Sequence, residues 1–377
     1  MGVLDGVRVI EIAGIGPGPF CGMLLADMGA EVILIERASG RQDDPTELGQ
    51  NAIVNRGKLS LALDLKDPQA IAAVLRLIDG ADALIEGMRP GVMERLGLGP
   101  AVCHARNARL VYGRMTGWGQ QGPLAQAAGH DINYIALSGA LWFSGAPGTA
   151  PMAPPTLVGD LGGGALYLAL GLLAGILGAR STGAGQVVDA AIVDGSANMM
   201  NLLLSAHAAG QQPFERGIGL LDGPHWYGSY ACADGHFISI GALEPQFNAL
   251  LFEKIGLGDD PDFRNPYDAR GFARLRERLT ALFGSQPRQH WVGLLEGSDA
   301  CFAPVLTPAE AMRHPHMAAR GVYSERDGVL QAAAAPRFSA SPAGVPGKVP
   351  RRGEHGAALL QAAGLNDAEI EHLLQRH

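Results

Sequence analysis

Val7-Arg8-Val9-Ile10-Glu11-Ile12 is a β-branched run that ends in the turn Gly14-Ile15-Gly16-Pro17-Gly18. An apolar segment over residues 20–28 has the composition of a helix and is closed by Gly29. A second β-rich run covers residues 31–35. A strand, a helix and a second strand in this order form a βαβ unit, which predicts a parallel sheet. The opening of the chain therefore indicates an α/β fold.

The same alternation continues downstream. Short apolar runs predict strands at 83–85, 110–112 and 186–190, and helices are predicted at 69–78 and 198–209. Together these segments predict a large α/β domain with a Rossmann-like parallel sheet.

An uncharged stretch over residues 161–178 is almost long enough to cross a bilayer. It contains six glycines and has neither an aromatic belt nor a flanking basic pattern. We therefore expect a buried, closely packed helix and no membrane insertion.

The composition changes after about residue 210. Residues 217–228 are rich in Gly, Asp and Pro, and residues 230–241 have the pattern of a β-hairpin. Amphipathic helices are predicted at 246–255, 272–282 and 289–295. This part of the chain predicts a second, smaller α+β domain.

Length, charge and cysteine content limit the possible classes of protein. A chain of 377 residues suggests two or three domains, and its formal net charge of -8 argues against non-specific nucleic-acid binding. No signal peptide is evident at residues 1–10. The four cysteines are widely spaced, so we expect free thiols in a reducing, cytoplasmic compartment; they are Cys21, Cys103, Cys232 and Cys301.

The turn at 14–18, with Glu36 at the end of the second strand, superficially matches a dinucleotide-binding fingerprint. Its third glycine is replaced by Pro19, and Pro17 and Pro19 lack the N–H groups that a pyrophosphate needs. We therefore expect no nicotinamide cofactor, and interpret the glycines as allowing a tight turn near a ligand or a helix. The run at 314–316 has two histidines but no accompanying Cys or carboxylate cluster, so no metal site is predicted.

Two side chains are candidates for chemistry. His130 stands at the start of an apolar helical stretch, where the helix dipole favours its neutral, basic form and free N–H groups can bind an oxyanion. Asp160 lies between glycines at the start of the long apolar stretch, where it either caps a helix or meets a ligand closely. From the residues alone, a structural role is equally open for each.

Several ordered motifs resemble those of the family III CoA-transferases, over nearly the whole chain. The run Gly129-His130-Asp131-Ile132-Asn133-Tyr134 points to the racemase branch of that family. The other matching motifs are Leu4-Asp5-Gly6-Val7-Arg8-Val9-Ile10-Glu11, Glu86-Gly87-Met88-Arg89-Pro90-Gly91-Val92, Gly113-Arg114-Met115-Thr116-Gly117-Trp118-Gly119-Gln120-Gln121-Gly122-Pro123, Val158-Gly159-Asp160, Gly185-Gln186-Val187-Val188-Asp189-Ala190, Gly241-Ala242-Leu243-Glu244-Pro245-Gln246-Phe247 and Gly353-Glu354-His355.

The resemblance implies an interlocked homodimer with each active site between the large domain of one subunit and the small domain of the other. The expected organisation is a large-domain part at 1–185, linker helices at 186–224, a small domain at 225–315 and a return segment at 316–377 that completes the large domain.

The resemblance also implies racemisation of 2-methyl-branched acyl-CoA thioesters by 1,1-proton transfer through an enolate. His130 and Asp160 would be the two acid/bases, Glu244 would orient His130, and the Asp131 backbone N–H would hold the enolate oxygen. The CoA thioester is the substrate, and no separate cofactor is expected.

Five cations fall in segments that the family uses for CoA: Arg37, Arg56, Lys58, Arg89 and Arg95. Each could equally be a solvated surface charge. Tyr134, one helical turn from His130, is a candidate for the acyl site.

Two alternatives remain at this stage. In a CoA transferase of the same fold, Asp160 would be a nucleophile that forms an aspartyl-CoA thioester. That branch uses a glycine-rich loop in the second domain, and the nearest segment here, residues 221–224, is poor in glycine. A non-catalytic CoA-binding protein is the third hypothesis, in which Asp160→Ala would change only stability.

Overall fold

A computed structural model describes residues 2–38, 48–326, 328–341 and 347–374. The chain forms two compact units. Unit 1 comprises Met1–Ala140, Pro154–Met199 and Tyr323–His377, and unit 2 comprises Leu141–Ala153 and Met200–Val322.

Unit 1 is built on a six-stranded, all-parallel sheet with the order β3-β2-β1-β4-β5-β6. The predicted α/β class is thus confirmed, and the strand order is that of a Rossmann-type sheet. The strands are β1 (Arg8–Ile12), β2 (Glu31–Arg37), β3 (Leu59–Leu63), β4 (Ala83–Glu86), β5 (Val111–Thr116) and β6 (Val187–Ala191).

Helices cover both faces of this sheet, which explains why its central strands are apolar runs rather than alternating ones. One core contains Ile10, Leu61 and Leu84, and the other contains Val9, Ile85 and Val111. The helices up to residue 199 are α1 (Pro17–Asp27), α2 (Pro68–Ile78), α3 (Val92–Arg95), α4 (Pro100–Arg106), α5 (Asp131–Ser138), α6 (Leu166–Thr182) and α7 (Ile192–Met199), with short 3₁₀ turns at Gly49–Asn51 and Ile53–Asn55.

A nine-residue π-helix, Leu157–Ala165, leads directly into α6. Asp160 lies inside this π-helix, whose N-cap is Thr156, so Asp160 does not cap the helix. Short π-helical segments are rare and occur frequently at functional sites. The local backbone thus favours the functional interpretation of Asp160 over the capping one.

Helix α6 packs against the sheet through only one of its faces. Leu168, Leu172 and Ile176 are buried, whereas Leu166, Leu170 and Leu177 are 52, 66 and 70% exposed. The helix expected to be buried and closely packed is thus buried on one face and has an open apolar side on the other. Within the described ranges, the continuous helical segment Leu157–Thr182 is long enough and apolar enough to cross a membrane, judged by length and composition alone.

Unit 2 is a smaller α+β unit with an antiparallel sheet of order β7-β8-β9. The predicted hairpin corresponds to its first two strands, and its core is built around Trp226, Tyr230 and Phe283. The elements are α8 (Asn201–Ala208), β7 (Tyr227–Ala231), β8 (Phe237–Gly241), α9 (Pro245–Lys254), α10 (Phe272–Phe283), α11 (Arg288–Leu295), β9 (Phe302–Val305), α12 (Pro308–Arg313) and α13 (Pro315–Ala319), with 3₁₀ turns at Pro261–Phe263 and Ala269–Gly271.

The C-terminal part of the chain belongs to unit 1 from Tyr323 onward. It forms an antiparallel pair, β10 (Tyr323–Arg326) and β11 (Val329–Ala332), and then α14 (Gly356–Ala362) and α15 (Asp367–Leu374). The backbone N–H of Ser60 in β3 donates to Nδ1 of His355 at 3.1 Å, which ties this segment to the sheet.

The unit boundaries differ from those expected at 185/186 and 315/316. The chain passes from unit 1 to unit 2 after Met199 and not after residue 185. The reason is that β6 hydrogen-bonds to β5 and α7 packs beside the π-helix, so both elements belong to unit 1. In addition, Leu141–Ala153 belongs to unit 2, an excursion that the sequence did not indicate.

Candidate active site

The carboxyl edge of the parallel sheet carries the loops in which the predicted residues lie. The turn after β1 approaches Asp160 closely: a Cβ added to Gly16 would lie 3.3 Å from Asp160 Oδ2. Gly16 also has a φ of +69°, which disfavours a side chain at this position. The glycine-rich turn therefore brings the backbone close to a carboxylate, in agreement with the tight turn predicted there.

His130 is the N-cap residue of α5, with an extended backbone, and its side chain is exposed. Its backbone N–H donates to Asn133 Oδ1 at 3.0 Å, which fixes the first turn of the helix. The helix start predicted at His130 is thus observed, and the imidazole is open to a ligand.

Asp160 is half-buried in the π-helix. The pKa of its carboxyl is raised from 3.8 to about 6: burial is the largest cause, the Asp131 charge adds to it, and His130 opposes the increase. A carboxyl group with a pKa near 6 can both donate and accept a proton close to neutral pH.

Asp131 connects the two candidate acid/bases. It follows His130 directly, it is 8% exposed, and its Oδ1 accepts the backbone N–H groups of Gly159 and Asp160, both at 2.8 Å. Its own backbone N–H, at the first position of α5, donates to no acceptor within the described residues. The sequence suggested only this N–H; the bridge made by the side chain was missed, because nothing in the local sequence places residue 159 beside residue 131.

Tyr134 is 8% exposed and packs edge-to-face on Trp118, with the ring centroids 4.7 Å apart. Its hydroxyl donates to the carbonyl of Gly129, the residue before His130. A Cβ at Gly117 would overlap the Tyr134 ring at 2.0 Å, so glycine is required there. Burial and then the Asp160 charge raise the pKa of the Tyr134 hydroxyl. The structure therefore gives Tyr134 a packing role, and the predicted acyl contact stays a prediction.

Three of the predicted CoA-binding cations are exposed. Arg37 ends β2, Arg89 follows β4, and Arg95 ends α3, all in unit 1. Arg37 and Arg89 follow strands of one parallel sheet and so lie at the same edge of it.

The other two cations are buried and already have partners. Arg56 Nη2 lies 2.5 Å from Asp27 Oδ2, and Lys58 Nζ lies 2.7 Å from Glu11 Oε2. The Lys58 side chain is completely buried. Both charges are therefore matched inside unit 1, a structural role that the sequence did not reveal.

Glu244 lies in unit 2, where it is the exposed N-cap residue of α9. Its predicted action on His130 stays a prediction. In the part of the chain that the structure describes, no group of three or more His, Cys, Asp or Glu side chains is placed to hold a metal ion.

Comparisons with known proteins show what this chain is similar to. The model of "CoA-transferase family III" matches residues 4–356. The chain is 39% identical to alpha-methylacyl-CoA racemase of Mus musculus, covering 100% of this chain and 96% of that protein, and 39% identical to the Homo sapiens racemase, covering 98% and 96%. A crystal structure of a CaiB/BaiF family protein from Brucella suis superposes with a TM-score of 0.82 at 27% identity, covering 96% of this chain and 99% of that one.

Proposed function

This chain belongs to CoA-transferase family III, and from that we propose that it racemises 2-methyl-branched acyl-CoA thioesters. The single observation that carries the proposal is the half-buried Asp160, whose pKa is about 6 and on which the charge of His130 acts. Racemisation at the carbon next to a thioester needs a base on one face and an acid on the other.

In the proposed mechanism, His130 removes the α-proton of one epimer while protonated Asp160 delivers a proton to the opposite face. In the reverse direction, ionised Asp160 is the base and protonated His130 is the acid. With a pKa of about 6, roughly a tenth of Asp160 stays protonated at pH 7, so both forms are populated. Asp160 is therefore able to act as the acid in one direction and as the base in the other.

The intermediate is an enolate, and its oxygen needs a hydrogen-bond donor. We assign this task to the backbone N–H of Asp131, because it is the first N–H of α5 and donates to no acceptor in the described ranges. The positive end of the helix dipole adds to the stabilisation. Glu244 is proposed to hydrogen-bond to the imidazole of His130 and orient it.

For the CoA moiety, the exposed cations Arg37, Arg89 and Arg95 are the proposed phosphate contacts, since a guanidinium donates in pairs to phosphate oxygens. Arg56 and Lys58 are proposed to contribute through their buried ion pairs, which hold the segment after residue 55 against α1 and β1. The reaction needs only the thioester as its substrate.

One experiment separates the proposal from its main alternative. A single epimer of a 2-methylacyl-CoA is incubated with the enzyme in deuterated water, and the product is resolved by chiral chromatography and mass spectrometry. We expect the second epimer to accumulate with one deuterium at the α-carbon. Transfer of CoA to an added carboxylic acid, with a trapped enzyme–CoA thioester at Asp160 and no exchange, would instead identify a CoA transferase.

The chain is proposed to act as a homodimer. The open apolar side of α6, formed by Leu166, Leu170 and Leu177, is a surface that a second copy would remove from water. Light scattering should give twice the monomer mass, and Leu170→Glu should yield monomers, whereas Lys66→Glu at an exposed site should not. A wild-type monomer at micromolar concentration contradicts this proposal.

The proposed compartment is the cytoplasm. Supporting this, Cys21, Cys103, Cys232 and Cys301 are free thiols, and the first three are buried. Fractionation of cells that express a tagged chain tests it, and recovery of the protein with membranes or in an oxidising compartment would overturn it.

A further inference from the structure

We propose that the Asp131 carboxylate is a positioning residue for the reaction: it holds the backbone at Gly159 and Asp160, and its negative charge favours a proton on the Asp160 side chain. This inference rests on the proposed function and concerns the side chain of Asp131, not the backbone N–H assigned to the enolate. Asp131 would thereby control the protonation of one acid/base, Asp160, while it directly follows the other, His130, in the chain.

The geometry of the bridge supports the positioning role. Both peptide N–H groups, of Gly159 and Asp160, donate to the same oxygen, Asp131 Oδ1, at 2.8 Å. The residues they connect are 28 and 29 positions apart in the chain. Hydrogen bonds to an ionised acceptor are stronger than those between neutral groups. These two hydrogen bonds thus join the start of α5, next to His130, to the π-helix at Asp160.

Close packing leaves little freedom for this contact. A Cβ added to Gly159 would lie 2.5 Å from Asp131 Oδ1 and 2.9 Å from Ile135 Cγ2. Real side chains essentially never make such short contacts, so only glycine allows this approach. Glycine at position 159 therefore lets the backbone of the π-helix reach the Asp131 carboxylate.

The charge of Asp131 supports the second half of the proposal. Two carboxylates in a poorly solvated place repel each other, so the ionisation of one is disfavoured by the other. Among the influences on the pKa of Asp160, burial comes first and the charge of Asp131 second, while His130 acts in the opposite direction. Without the Asp131 charge, Asp160 would give up its proton at lower pH.

Two substitutions separate geometry from charge. In Asp131→Asn, the amide oxygen can still accept both N–H groups, since both bonds in the wild type go to a single oxygen, but the charge is lost. In Asp131→Ala, the bridge and the charge are both lost. Asp189→Asn is the matched control, since Asp189 accepts the Gln120 backbone N–H at 3.2 Å and does not contact Asp160. Circular dichroism and thermal unfolding verify that each variant is folded.

The readout that does not depend on activity is the titration of the Asp160 carboxyl carbon by ¹³C NMR, assigned with Asp160→Asn. We expect the midpoint to fall by roughly 0.5–1 pH unit in Asp131→Asn and to stay in place in Asp189→Asn. Racemisation by Asp131→Asn should keep its KM and shift its pH profile in the same direction, whereas Asp131→Ala should lose on the order of 100-fold in kcat.

A midpoint that stays in place in Asp131→Asn overturns the charge effect. Equal loss of kcat in Asp131→Asn and Asp131→Ala overturns the positioning role. If the wild-type enzyme shows no α-proton exchange, the proposed function fails, yet the NMR titration still decides whether Asp131 controls the protonation of Asp160.

Discussion

Two carboxylates of unit 1, the buried Glu11 and the half-buried Asp160, have neighbours of opposite charge. Glu11, in β1, is completely buried beside the ammonium group of Lys58, which also donates to Pro19 O at 3.0 Å and Asn55 Oδ1 at 3.2 Å. Asp160 is near another carboxylate, Asp131, and a glycine turn. A buried carboxylate with a bonded cation becomes costly when the cation is removed, whereas a carboxyl group beside a like charge keeps its proton to higher pH.

Both groups have raised pKa values, but for different combinations of reasons. Burial raises the pKa of Glu11 and lowers that of Lys58, and each partner opposes the effect on the other. Burial and Asp131 act together on Asp160, and only His130 opposes them. Burial alone therefore does not distinguish a structural acid, Glu11, from a proposed acid/base, Asp160; the identity of the neighbouring charges does.

The largest expected effect is that of breaking the Glu11–Lys58 pair. Lys58→Met leaves Glu11 buried without a cation, which should lower the free energy of unfolding by about 3–5 kcal/mol. Urea denaturation measures this, with Lys66→Met at an exposed site as the control. A loss below about 1 kcal/mol, together with a raised KM for acyl-CoA, would return Lys58 to the role of a CoA contact.

The second prediction concerns the close approach of the Gly159 backbone, next to Asp160, to the Asp131 carboxylate. Gly159→Ala places a Cβ against Asp131 Oδ1 and should cost about 1–3 kcal/mol of stability and reduce kcat. Gly178→Ala is the control, because a Cβ there meets nothing within 4 Å. Equal behaviour of the two variants in thermal unfolding and turnover would show that the contact is not needed.

The third prediction is a gain of stability that depends on pH. Since the folded-state pKa of Asp160 is about 6 and its ordinary value is 3.8, the fold favours the protonated form. The stability that protonated Asp160 contributes to the fold is fully present below about pH 4 and is lost as the pH rises through 6. Asp160→Asn should therefore unfold like the wild type at pH 4 and be more stable by on the order of 1–2 kcal/mol at pH 8, after allowance for solvent screening.

Urea denaturation at the two pH values checks this, with turnover measured in parallel. If Asp160→Asn is less stable than the wild type at pH 8, ionised Asp160 stabilises the fold. That result would contradict the prediction that the fold favours protonated Asp160.

The smallest expected effect is that of Tyr134→Phe. It removes the hydrogen bond from the Tyr134 hydroxyl to the Gly129 carbonyl but keeps the ring beside Trp118. We expect a loss of about 0.5–1.5 kcal/mol in stability and a several-fold reduction in kcat, because residue 129 precedes His130. Urea denaturation and steady-state kinetics measure the two effects, and an increase in KM without a change in kcat would favour the acyl contact instead.

The sequence predicts the parts of this molecule that depend on local patterns. The β-branched runs give the strands, and Asn366 caps helix α15 within three positions, since Asn366 Oδ1 accepts the Glu369 N–H at 3.0 Å. His130 at a helix start follows from the polar residues before an apolar stretch. These features involve neighbours within a few positions, so a linear pattern suffices to identify them.

Contacts between distant positions could not be predicted in this way. The resemblance made Lys58 a candidate CoA contact, and its ion pair with Glu11 was not visible in the sequence because the two residues are 47 positions apart. A capping role for Asp160 stayed open in the sequence because a linear pattern does not distinguish an α-helix from a π-helix. The side-chain role of Asp131 depends on Gly159, 28 positions away. Ion pairs and packing contacts between residues that are far apart in the chain can be identified only in the folded structure.

The central claim, that His130 and Asp160 are opposed acid/bases, is tested most directly by α-proton exchange without racemisation. Each pure epimer of a 2-methylacyl-CoA is incubated in deuterated water with His130→Ala and, separately, with Asp160→Asn. We predict that each variant exchanges the α-proton of one epimer only, that the two variants choose opposite epimers, and that neither racemises. Exchange of the same epimer by both variants, or of both epimers by either, would contradict the account.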